Sequence, residues 1–301
     1  MTLGTGSDTP ETRIGGPNRA ADLSRVRPRV LVTLPVYNEA PILNESVENV
    51  ISALTDSRVD FTLVIAEDGS TDGSQECIRK IVEHHPSIIV QSVPEKHGRG
   101  WALNNVWSRF EADIYAFSDT DFAAEPECLI TGIRLVQEGQ DVVTGSRYVA
   151  GARVIRPPLR HLVSRFYNRL IRMLFQDRVR DHQCGLKVFS SAAVRALVPL
   201  SREDSWFWDT EMLILANDSN LVVTEFPVDW IERKVLRTEL WRLASDFYLH
   251  GKGMLRLAGD RRTRGYSHRA WTPTDKLPRR VGLSPSRGSA VTESAELPDS
   301  G

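Results

Sequence analysis

Short apolar runs alternate with longer stretches of helical periodicity through the first half of the chain. The apolar runs show little alternation of period two, which predicts strands buried on both faces, and the stretches between them predict crossover helices. This order is typical of an α/β fold with a mostly parallel sheet flanked by helices on both faces. The predicted strands are residues 30–36, 61–66, 87–91, 114–118 and 141–145, and the predicted helices begin near Pro41 and cover 75–84, 101–110, 126–138 and 159–176.

The two ends of the chain differ in composition from its centre. Residues 1–27 are rich in Gly, Thr, Asp, Pro and Arg, and residues 261–301 are rich in Pro, Gly and Ser, with no hydrophobic period in either segment. Such segments cannot bury enough apolar surface to fold. We therefore predict a flexible leader at 1–27, a folded domain at 28–260 and a flexible tail at 261–301.

Charge and cysteine content exclude several classes of protein. Lys and Arg number 38 against 39 Asp and Glu, so the net charge is -1 and we predict no nucleic-acid binding. Three cysteines stand far apart in the sequence, which excludes a disulfide framework and a cysteine-based zinc site. No secretory signal begins the chain, and no run approaches the ~18 apolar residues of a membrane-spanning helix. We expect a cytoplasmic protein, at the inner face of the cell membrane if it contacts lipid.

Polar clusters follow the first four predicted strands. In a mostly parallel sheet, ligands bind outside the carboxyl ends of the strands, so these clusters are expected to converge on one site. Each cluster alone also has a structural explanation as a turn, a helix cap or a solvated loop. The clusters are PVYNE at 35–39, EDGSTDGS at 67–74, KHGRG at 96–100 and SDTD at 118–121.

Asp119 and Asp121 lie one residue apart at the end of the apolar run 114–118. Side chains at i and i+2 lie on the same side of an extended segment, so both carboxylates reach one point. Two like charges in this arrangement repel each other unless a cation lies between them, and hard oxygen ligands select Mg²⁺ or Mn²⁺. The alternative is that the two carboxylates cap the next helix. We predict a divalent metal site.

Together these motifs resemble the family 2 glycosyltransferases of the GT-A fold, and among them the dolichyl- or polyprenyl-phosphate hexosyl synthases. Two later motifs, GSRYVAG at 145–151 and DHQCGLKVF at 181–189, flank the helical stretch 159–176 in the order typical of that group. The likeness covers about 30–233. It implies a Rossmann-like sheet with a nucleotide-sugar half at 28–125 and a smaller acceptor half at 126–260. It also implies inverting, metal-dependent transfer of a hexose from GDP-mannose or UDP-glucose to a polyprenyl or dolichyl phosphate.

The resemblance assigns roles to particular residues. Those that would bind the donor are Pro35, Tyr37, Glu39, Asp68, Gly69, Lys96, Arg99 and Asp119, and Asp119 with Asp121 would hold the metal. Those that would gather around the acceptor phosphate are Arg147, Arg160, Ser164 and Arg233, and Asp121, Arg147 and Arg233 would act at the reaction centre. Arginine suits a phosphate because its planar fork grips two oxygens. For Arg160 and Arg233 the alternative is a surface charge.

One position departs from the family pattern. Relatives usually carry Gln two places after the second aspartate, where it adds a metal contact, and this chain has Ala123 there. We expect weaker metal affinity unless water or Glu125 fills the gap. A catalytically silent nucleotide-binding protein is a further alternative, and Ala123 is its one support.

The sequence is compatible with two classes of sugar acceptor. A lipid phosphate is already ionised at neutral pH and needs no general base, whereas a hydroxyl acceptor of a glycolipid, glycan or natural product needs a carboxylate within hydrogen-bond reach. Asp181, Asp209 and Glu211 are the candidate bases. Asp209 and Glu211 also have a structural explanation, since acidic residues are favoured in the first turn of a helix.

Two stretches have the pattern of amphipathic helices rich in basic residues. In 159–176, apolar residues recur at spacings of three and four, with Arg165, Arg169 and Arg172 among them. Packing against the sheet would explain the pattern, but the neighbouring phosphate-type arginines favour a helix at the membrane interface. Residues 240–257 form a second candidate. We predict peripheral contact with a membrane.

Overall fold

The computed structural model describes residues 27–121, 123–231 and 250–261, and the backbone of 281–282. Its strands and helices, in chain order, are β1 (Arg29–Val36), α1 (Ala40–Asp56), β2 (Asp60–Asp68), α2 (Ser74–His84), β3 (Ile89–Val93), α3 (Arg99–Arg109), β4 (Phe110–Glu111), β5 (Ile114–Ser118), α4 (Pro126–Gln137), β6 (Val142–Ser146), β7 (Arg153–Ile155), α5 (Pro158–Phe175), β8 (Leu186–Ser190), α6 (Ser191–Leu197), α7 (Trp208–Asp218), β9 (Val223–Pro227), β10 (Asp229–Ile231) and β11 (Val281–Gly282). Residues 250–261 are also helical.

The central sheet has seven strands in the order β3-β2-β1-β5-β8-β6-β9. All neighbours run parallel except β8, which is antiparallel to both β5 and β6. The predicted α/β class with a mostly parallel sheet is confirmed. The strand β8, which begins inside the motif DHQCGLKVF and ends at Ser190, was not predicted.

Helices cover both faces of the sheet. On one face the buried side chains of α1, α2 and α4 pack on β1, β2 and β8, and on the other those of α3, α6 and α7 pack on β1, β5 and β8. Trp107 is the centre of the second core, where its ring contacts Tyr115, Phe117, Phe189 and Trp208 at centroid distances of 5.1 to 6.2 Å. Burial of each such side chain contributes roughly 1.5–3 kcal/mol. The sheet edge that carries the polar clusters is thereby held by two rigid layers.

Helix α5 packs through one face, to which Leu170 is the one leucine that contributes. Its buried residues are Ser164, Tyr167, Asn168, Ile171 and Phe175. The apolar residues on the other side are exposed, namely Leu159, Leu162, Phe166, Met173 and Leu174. Packing of those residues on the sheet, the simpler explanation of the sequence pattern, is therefore wrong. We name the exposed set the apolar stripe.

The second amphipathic stretch, 240–257, lies mostly outside the described residues. In its described part, Met254 and Leu257 are buried against Phe207, so those two side chains serve the core and not a membrane surface. Leu255 points outward and is 78% exposed. No helix within the described ranges is long and apolar enough to cross a membrane.

The predicted leader and tail fall almost wholly outside the described residues. Arg27 belongs to the predicted leader, and its guanidinium donates to the carbonyl of Arg58 at 3.1 Å. In the predicted tail, Val281–Gly282 pairs in parallel with Phe110–Glu111. This short strand was not predicted, because two residues carry too little pattern to be seen among prolines and glycines.

Candidate active site

The loops after β1 and β2 are joined by hydrogen bonds. The Asn38 amide donates to Ser70 Oγ at 3.0 Å, and the Thr71 amide donates back to Asn38 Oδ1 at 2.8 Å. The Glu39 amide donates to Ser74 Oγ at 2.9 Å, so the PVYNE segment lies against the start of α2. Ordered polar backbone at this edge is suited to a ligand that needs many hydrogen bonds.

The third cluster, KHGRG, is fixed against the end of β2. Buried Asp68 accepts the amides of His97 and Gly98 at 2.8 and 2.7 Å. Gly69 has a φ of +69°, and a Cβ there would lie 2.6 Å from the carbonyl carbon of Glu95, so only glycine fits this close approach. The predicted role of Asp68 and Gly69 in base binding stays a prediction, since both Asp68 oxygens support the loop.

Tyr37 and Lys96 meet at the open side of these loops. The Lys96 ammonium lies 3.7 Å from the centroid of the Tyr37 ring, and Tyr37 is 37% exposed. Pro35 at the end of β1 is half-buried beside them. An aromatic face and a cation next to each other suit a nucleotide base and a phosphate. The predicted donor residues of the first three clusters therefore lie at one edge of the sheet.

A buried charge network connects the fourth cluster to α7. The Arg99 guanidinium forms ion pairs with Asp119, at 2.7 Å, and with Asp209. Lys187, fully buried on β8, donates to Asp209 Oδ1 at 2.8 Å and to the carbonyl of Cys184 at 2.7 Å. Two cations thus face two carboxylates, and their mutual attraction offsets the desolvation cost of burying these charges.

Asp119 and Asp121 present oxygen donors of the kind that Mg²⁺ and Mn²⁺ select. Burial, together with repulsion from Asp121, raises the pKa of Asp119 to about 7, even though Arg99 opposes the shift. Asp121 is half-buried, and among the described residues its carboxylate accepts one long hydrogen bond, from the Ala123 amide at 3.4 Å. Two neighbouring carboxylates, of which Asp119 has a raised pKa, fit a divalent cation.

The side chains around Asp119 and Asp121 supply no third protein ligand for a metal within the described ranges. Ala123 is buried and offers no side-chain ligand, as its sequence position implies. Within the described ranges, no group of three or more His, Cys, Asp or Glu residues is placed to hold a metal, so Glu125 does not complete a third ligand. Any ion at Asp119 and Asp121 would take its remaining ligands from water and from substrate phosphates, as Mg²⁺ usually does.

Gly185, in the DHQCG motif, shapes this site. A Cβ at Gly185 would lie 1.8 Å from Asp119 Oδ2, so the carboxylate fills the space that a side chain would occupy. The Asp119 amide also donates to the Gly185 carbonyl at 2.8 Å. The glycine therefore sets the position of the first carboxylate.

On the acceptor side, Arg147 is held by Asp181. Arg147 Nε and Nη2 donate to the two Asp181 oxygens at 2.7 and 2.8 Å, and the Arg147 amide adds a bond at 3.0 Å. Burial alone would raise the pKa of Asp181, but the guanidinium outweighs it and holds the pKa below its usual value. The Trp230 ring covers the guanidinium at 4.7 Å. Arg147 is thus fixed in one orientation, and Nη1 takes no part in the pair.

Arg147 forms the back of a cavity of about 370 Å³. We name this space the cationic cavity; it is lined by Arg147, Tyr148, Val149, His161, Arg165, Asn168, Arg172 and Arg180. The predicted acceptor residues Arg160 and Ser164 lie on the same helix, α5, half-buried and buried respectively. Burial and the charges of Arg147 and Arg160 lower the pKa of nearby Arg156 to about 10. The positive charge of this region favours the binding of an anion.

The three candidate bases are all engaged. Asp181 is bound to Arg147, and Asp209 to Arg99 and Lys187. Glu211 Oε2 accepts Ser201 Oγ and the amides of residues 202 and 203 at 2.8 to 3.0 Å, although burial raises the pKa of Glu211 to about 7. Arg233 lies outside the described residues. The roles predicted for these four residues stay predictions.

Several residues at the site were not identified from the sequence. Gly185 and Lys187 support the two carboxylates Asp119 and Asp209, and the only sequence signal for Lys187 is a lysine inside an apolar run. Trp206 was also missed; its ring covers Arg99 at 4.8 Å and is 57% exposed. Arg180, an exposed basic residue in a loop, was also missed, because its local sequence does not indicate that it lines the cavity.

Comparison with known proteins identifies the family. The profile of "Glycosyl transferase family 2" matches residues 31–198. Glycosyltransferase AglD of Haloferax volcanii is 35% identical over 71% of this chain, and the chain spans only 35% of AglD. Dolichyl-phosphate beta-glucosyltransferase ALG5C of Trichomonas vaginalis is 28% identical over 81% of this chain and 73% of its own length. The dolichyl-phosphate beta-glucosyltransferase of Saccharomyces cerevisiae is 26% identical, over 67% of this chain and 66% of its own length.

Solved structures show the same fold. Glucosyl-3-phosphoglycerate synthase from Mycobacterium tuberculosis, in complex with Mn²⁺, UDP and glucosyl-3-phosphoglycerate, aligns with a TM-score of 0.58 at 22% identity and covers 77% of this chain and 80% of its own. The same synthase with Mn²⁺, UDP-glucose and phosphoglyceric acid aligns with a TM-score of 0.57. The sheet order, the strand-end clusters and the family profile agree. The chain belongs to glycosyl transferase family 2 and is a glycosyltransferase with the GT-A fold.

Proposed function

We propose that this enzyme transfers glucose from UDP-glucose to a polyprenyl or dolichyl phosphate, with inversion at the anomeric carbon and with a divalent metal. The observation that carries the proposal is the cationic cavity, with Arg147 fixed at its back by Asp181. A guanidinium held in one orientation loses little freedom when it grips a phosphate, which favours binding. GDP-mannose remains the second donor to test.

The state of the carboxylates supports a phosphate acceptor over a hydroxyl acceptor. A phosphate oxygen is already negatively charged, so it can attack without giving up a proton. A hydroxyl needs a base with a free oxygen, and both oxygens of Asp181 and of Asp209 are bound to basic side chains. Glu211 Oε2 takes three hydrogen bonds, and Glu211 Oε1 lies 3.5 Å from the Arg256 guanidinium. The hydroxyl-acceptor alternative would require one of these residues to break its bonds first.

The proposed metal and the basic residues on the donor side are explained by the charge that develops on the leaving group. Cleavage of the bond between the sugar and the nucleoside diphosphate leaves negative charge on phosphate oxygens. Asp119 and Asp121 would hold a Mg²⁺ or Mn²⁺ ion, which stabilises that charge by several kcal/mol. Arg99, beside Asp119, and Lys96, at the mouth of the site, carry further positive charge toward the same phosphates.

The names of the relatives favour glucose and a lipid phosphate. The Trichomonas and yeast relatives are both named dolichyl-phosphate beta-glucosyltransferases, and this chain spans about two thirds to three quarters of their lengths. We extend that activity to this chain because the family motifs and the cationic cavity lie within residues 31–198, which match the family profile.

The apolar stripe of α5 supports contact with a membrane. Phe166 and Leu162 are 59% and 66% exposed, and basic residues of the same helix lie beside them. A helix with an exposed apolar face flanked by arginines binds an interface that contains anionic lipid. We place the enzyme at the cytoplasmic face of the cell membrane, where it would meet both a soluble donor and a lipid acceptor.

A donor screen tests the proposal. The full chain is incubated with polyprenyl phosphate and, in separate reactions, UDP-glucose, GDP-mannose and other UDP- and GDP-sugars, with Mn²⁺ or with excess chelator, and lipid products are identified by mass. The expected product is a glucosyl lipid phosphate that forms from UDP-glucose only when metal is present. Equal product in excess chelator would refute the metal assignment. Nucleotide binding without turnover of any donor would favour the catalytically silent alternative.

A further inference from the structure

One row of α5 faces the cationic cavity. His161, Arg165, Asn168 and Arg172 stand at positions i, i+4, i+7 and i+11 of the helix, so they share one face, and all four line the cavity. Arg180 approaches from the segment between α5 and β8. The cavity therefore has arginines on two walls in addition to Arg147 at its back.

The segment that carries Arg180 is fixed before any ligand binds. The Glu225 carboxylate accepts the amides of Arg180 and Asp181 at 2.9 and 3.0 Å. Asp177 Oδ1 accepts the amide of Val179 at 2.7 Å. These bonds hold the backbone on both sides of Arg180, so the wall opposite α5 does not have to become ordered on binding.

The outer arginines lack counter-charges. In the described part of the chain, no carboxylate lies within ion-pair distance of Arg165, Arg172 or Arg180, whereas Arg147 is neutralised by Asp181. Burial and the positive charges of the nearby arginines lower the pKa of His161. Arg165 and Arg172 also stand about 10 Å apart along the helix axis, at a rise of about 1.5 Å for each of seven residues.

We infer that the outer part of the cavity, between Arg165, Arg172 and Arg180, is a second phosphate site that binds a phosphate ester other than the reacting acceptor phosphate at Arg147. This inference rests on the proposed function only in placing the reacting phosphate at Arg147. The ligand chemistry is that of a lipid headgroup phosphate or a soluble phosphate.

The apolar stripe favours the lipid source. Leu162, Phe166 and Met173 each follow a residue of the cavity-lining row, so the stripe runs beside that row, about 100° around the helix. A phosphate between the arginines would leave its acyl chains next to exposed apolar side chains. A bound headgroup would then hold α5 at the bilayer surface while the acceptor lipid exchanges.

Charge-matched variants test the inference. Arg172→Gln and Arg180→Gln each remove one charge from the proposed site, and Arg169→Gln removes one charge from an exposed position of the same helix that does not line the cavity. Binding of inorganic phosphate is measured by calorimetry on the full chain, with the reacting site saturated by a short-chain, water-soluble prenyl phosphate whose own binding is measured first. Partition onto vesicles of phosphatidylcholine, with and without phosphatidylglycerol, is measured in parallel.

We expect the wild type to bind inorganic phosphate in the presence of the prenyl phosphate. R172Q and R180Q should each weaken that binding about tenfold or more, the effect of losing a charge-assisted hydrogen bond, while R169Q leaves it unchanged. On vesicles with phosphatidylglycerol, R169Q should lower partition about fivefold as a diffuse charge effect, and R172Q and R180Q by more than that.

The outcomes separate the sources and the hypotheses. If R172Q and R180Q lose phosphate binding but lower partition onto vesicles only as much as R169Q does, the second site stands and its ligand is a soluble phosphate. If prenyl phosphate abolished phosphate binding, or if R169Q matched R172Q and R180Q in both assays, the second site would be refuted. Neither readout uses turnover, so failure of the proposed glucosyl transfer would appear separately, in the donor screen.

Discussion

Removal of the Asp181 charge is the perturbation whose effect the structure predicts in most detail. Asp181→Asn keeps the size of the side chain but leaves the buried Arg147 guanidinium without its counter-ion. An amide oxygen in the place of Asp181 Oδ2 can accept two of the three hydrogen bonds, at 2.7 and 3.0 Å, but the NH₂ group then faces the Arg147 Nη2 donor, now at 2.8 Å. Breaking a buried ion pair by removing one partner costs about 3–5 kcal/mol.

For a domain of this size, a loss of about 3 kcal/mol lowers the melting temperature by roughly 6–12 °C. The free energy of unfolding is measured by urea denaturation, and the kinetics with polyprenyl phosphate are measured at a temperature where D181N is folded. Because Arg147 would lose its fixed orientation, we expect the acceptor KM to rise and the donor KM to stay close to that of the wild type.

Arg147→Lys is the control, since it keeps the charge but removes the two-pronged grip. A double-mutant cycle with D181N and R147Q should show a coupling energy above about 1 kcal/mol, because the two groups share one buried contact. The reasoning is refuted if the free energy of unfolding of D181N lies within about 1 kcal/mol of the wild-type value while kcat collapses and the acceptor KM is unchanged. That result would identify Asp181 as a general base.

Three other predictions concern different parts of the molecule. Gly185→Ala should lower kcat about 100-fold, because its Cβ would displace the Asp119 carboxylate by more than 1 Å; normal turnover would contradict the assigned position of that carboxylate. Phe166→Ser should lower partition onto anionic vesicles about tenfold by removing apolar contact, whereas Leu255→Ser should not, although Leu255, which lies off α5, is the more exposed of the two; equal losses would refute a specific role for α5. Burial raises the pKa of Glu211 from 4.5 to about 7, so the folded state binds the extra proton and wild-type stability should fall as pH rises from about 4.5 to 7. Glu211→Gln should remove up to about 3 kcal/mol of that fall in urea denaturation at pH 5 and 7.5, and an unchanged pH dependence would contradict the shift.

The layout of the sheet could be predicted because it depends on local pattern. Strands buried on both faces need continuous apolar runs, and parallel neighbours need helices between them, so β1, β2 and β5 are visible in the sequence. The convergence of the polar clusters then follows, since parallel strands end at one edge. The exceptions are β9 and β8. The run LKVF of β8 contains the buried Lys187, which is stabilised by the distant Asp209 and by the Cys184 carbonyl.

The orientation of α5 and the state of the candidate bases could not be predicted. The helix carries apolar residues on two opposite faces, one with Tyr167 and Ile171 and one with Phe166, and periodicity does not tell which face packs inward. The partners of the carboxylates are far away in sequence: Asp181 pairs with a residue 34 positions earlier, and Asp209 with one 110 positions earlier. Such pairs are set by the assembled fold and leave no local signal.

The central claim is that the enzyme uses an acceptor that is already ionised, gripped by arginines, and therefore needs no general base. The most direct measurement compares polyprenyl phosphate with the corresponding polyprenol in parallel reactions with UDP-glucose and Mn²⁺, with products read by mass. The account predicts a glucosylated product from the phosphate alone. Glucosylation of the polyprenol at a comparable rate would contradict it.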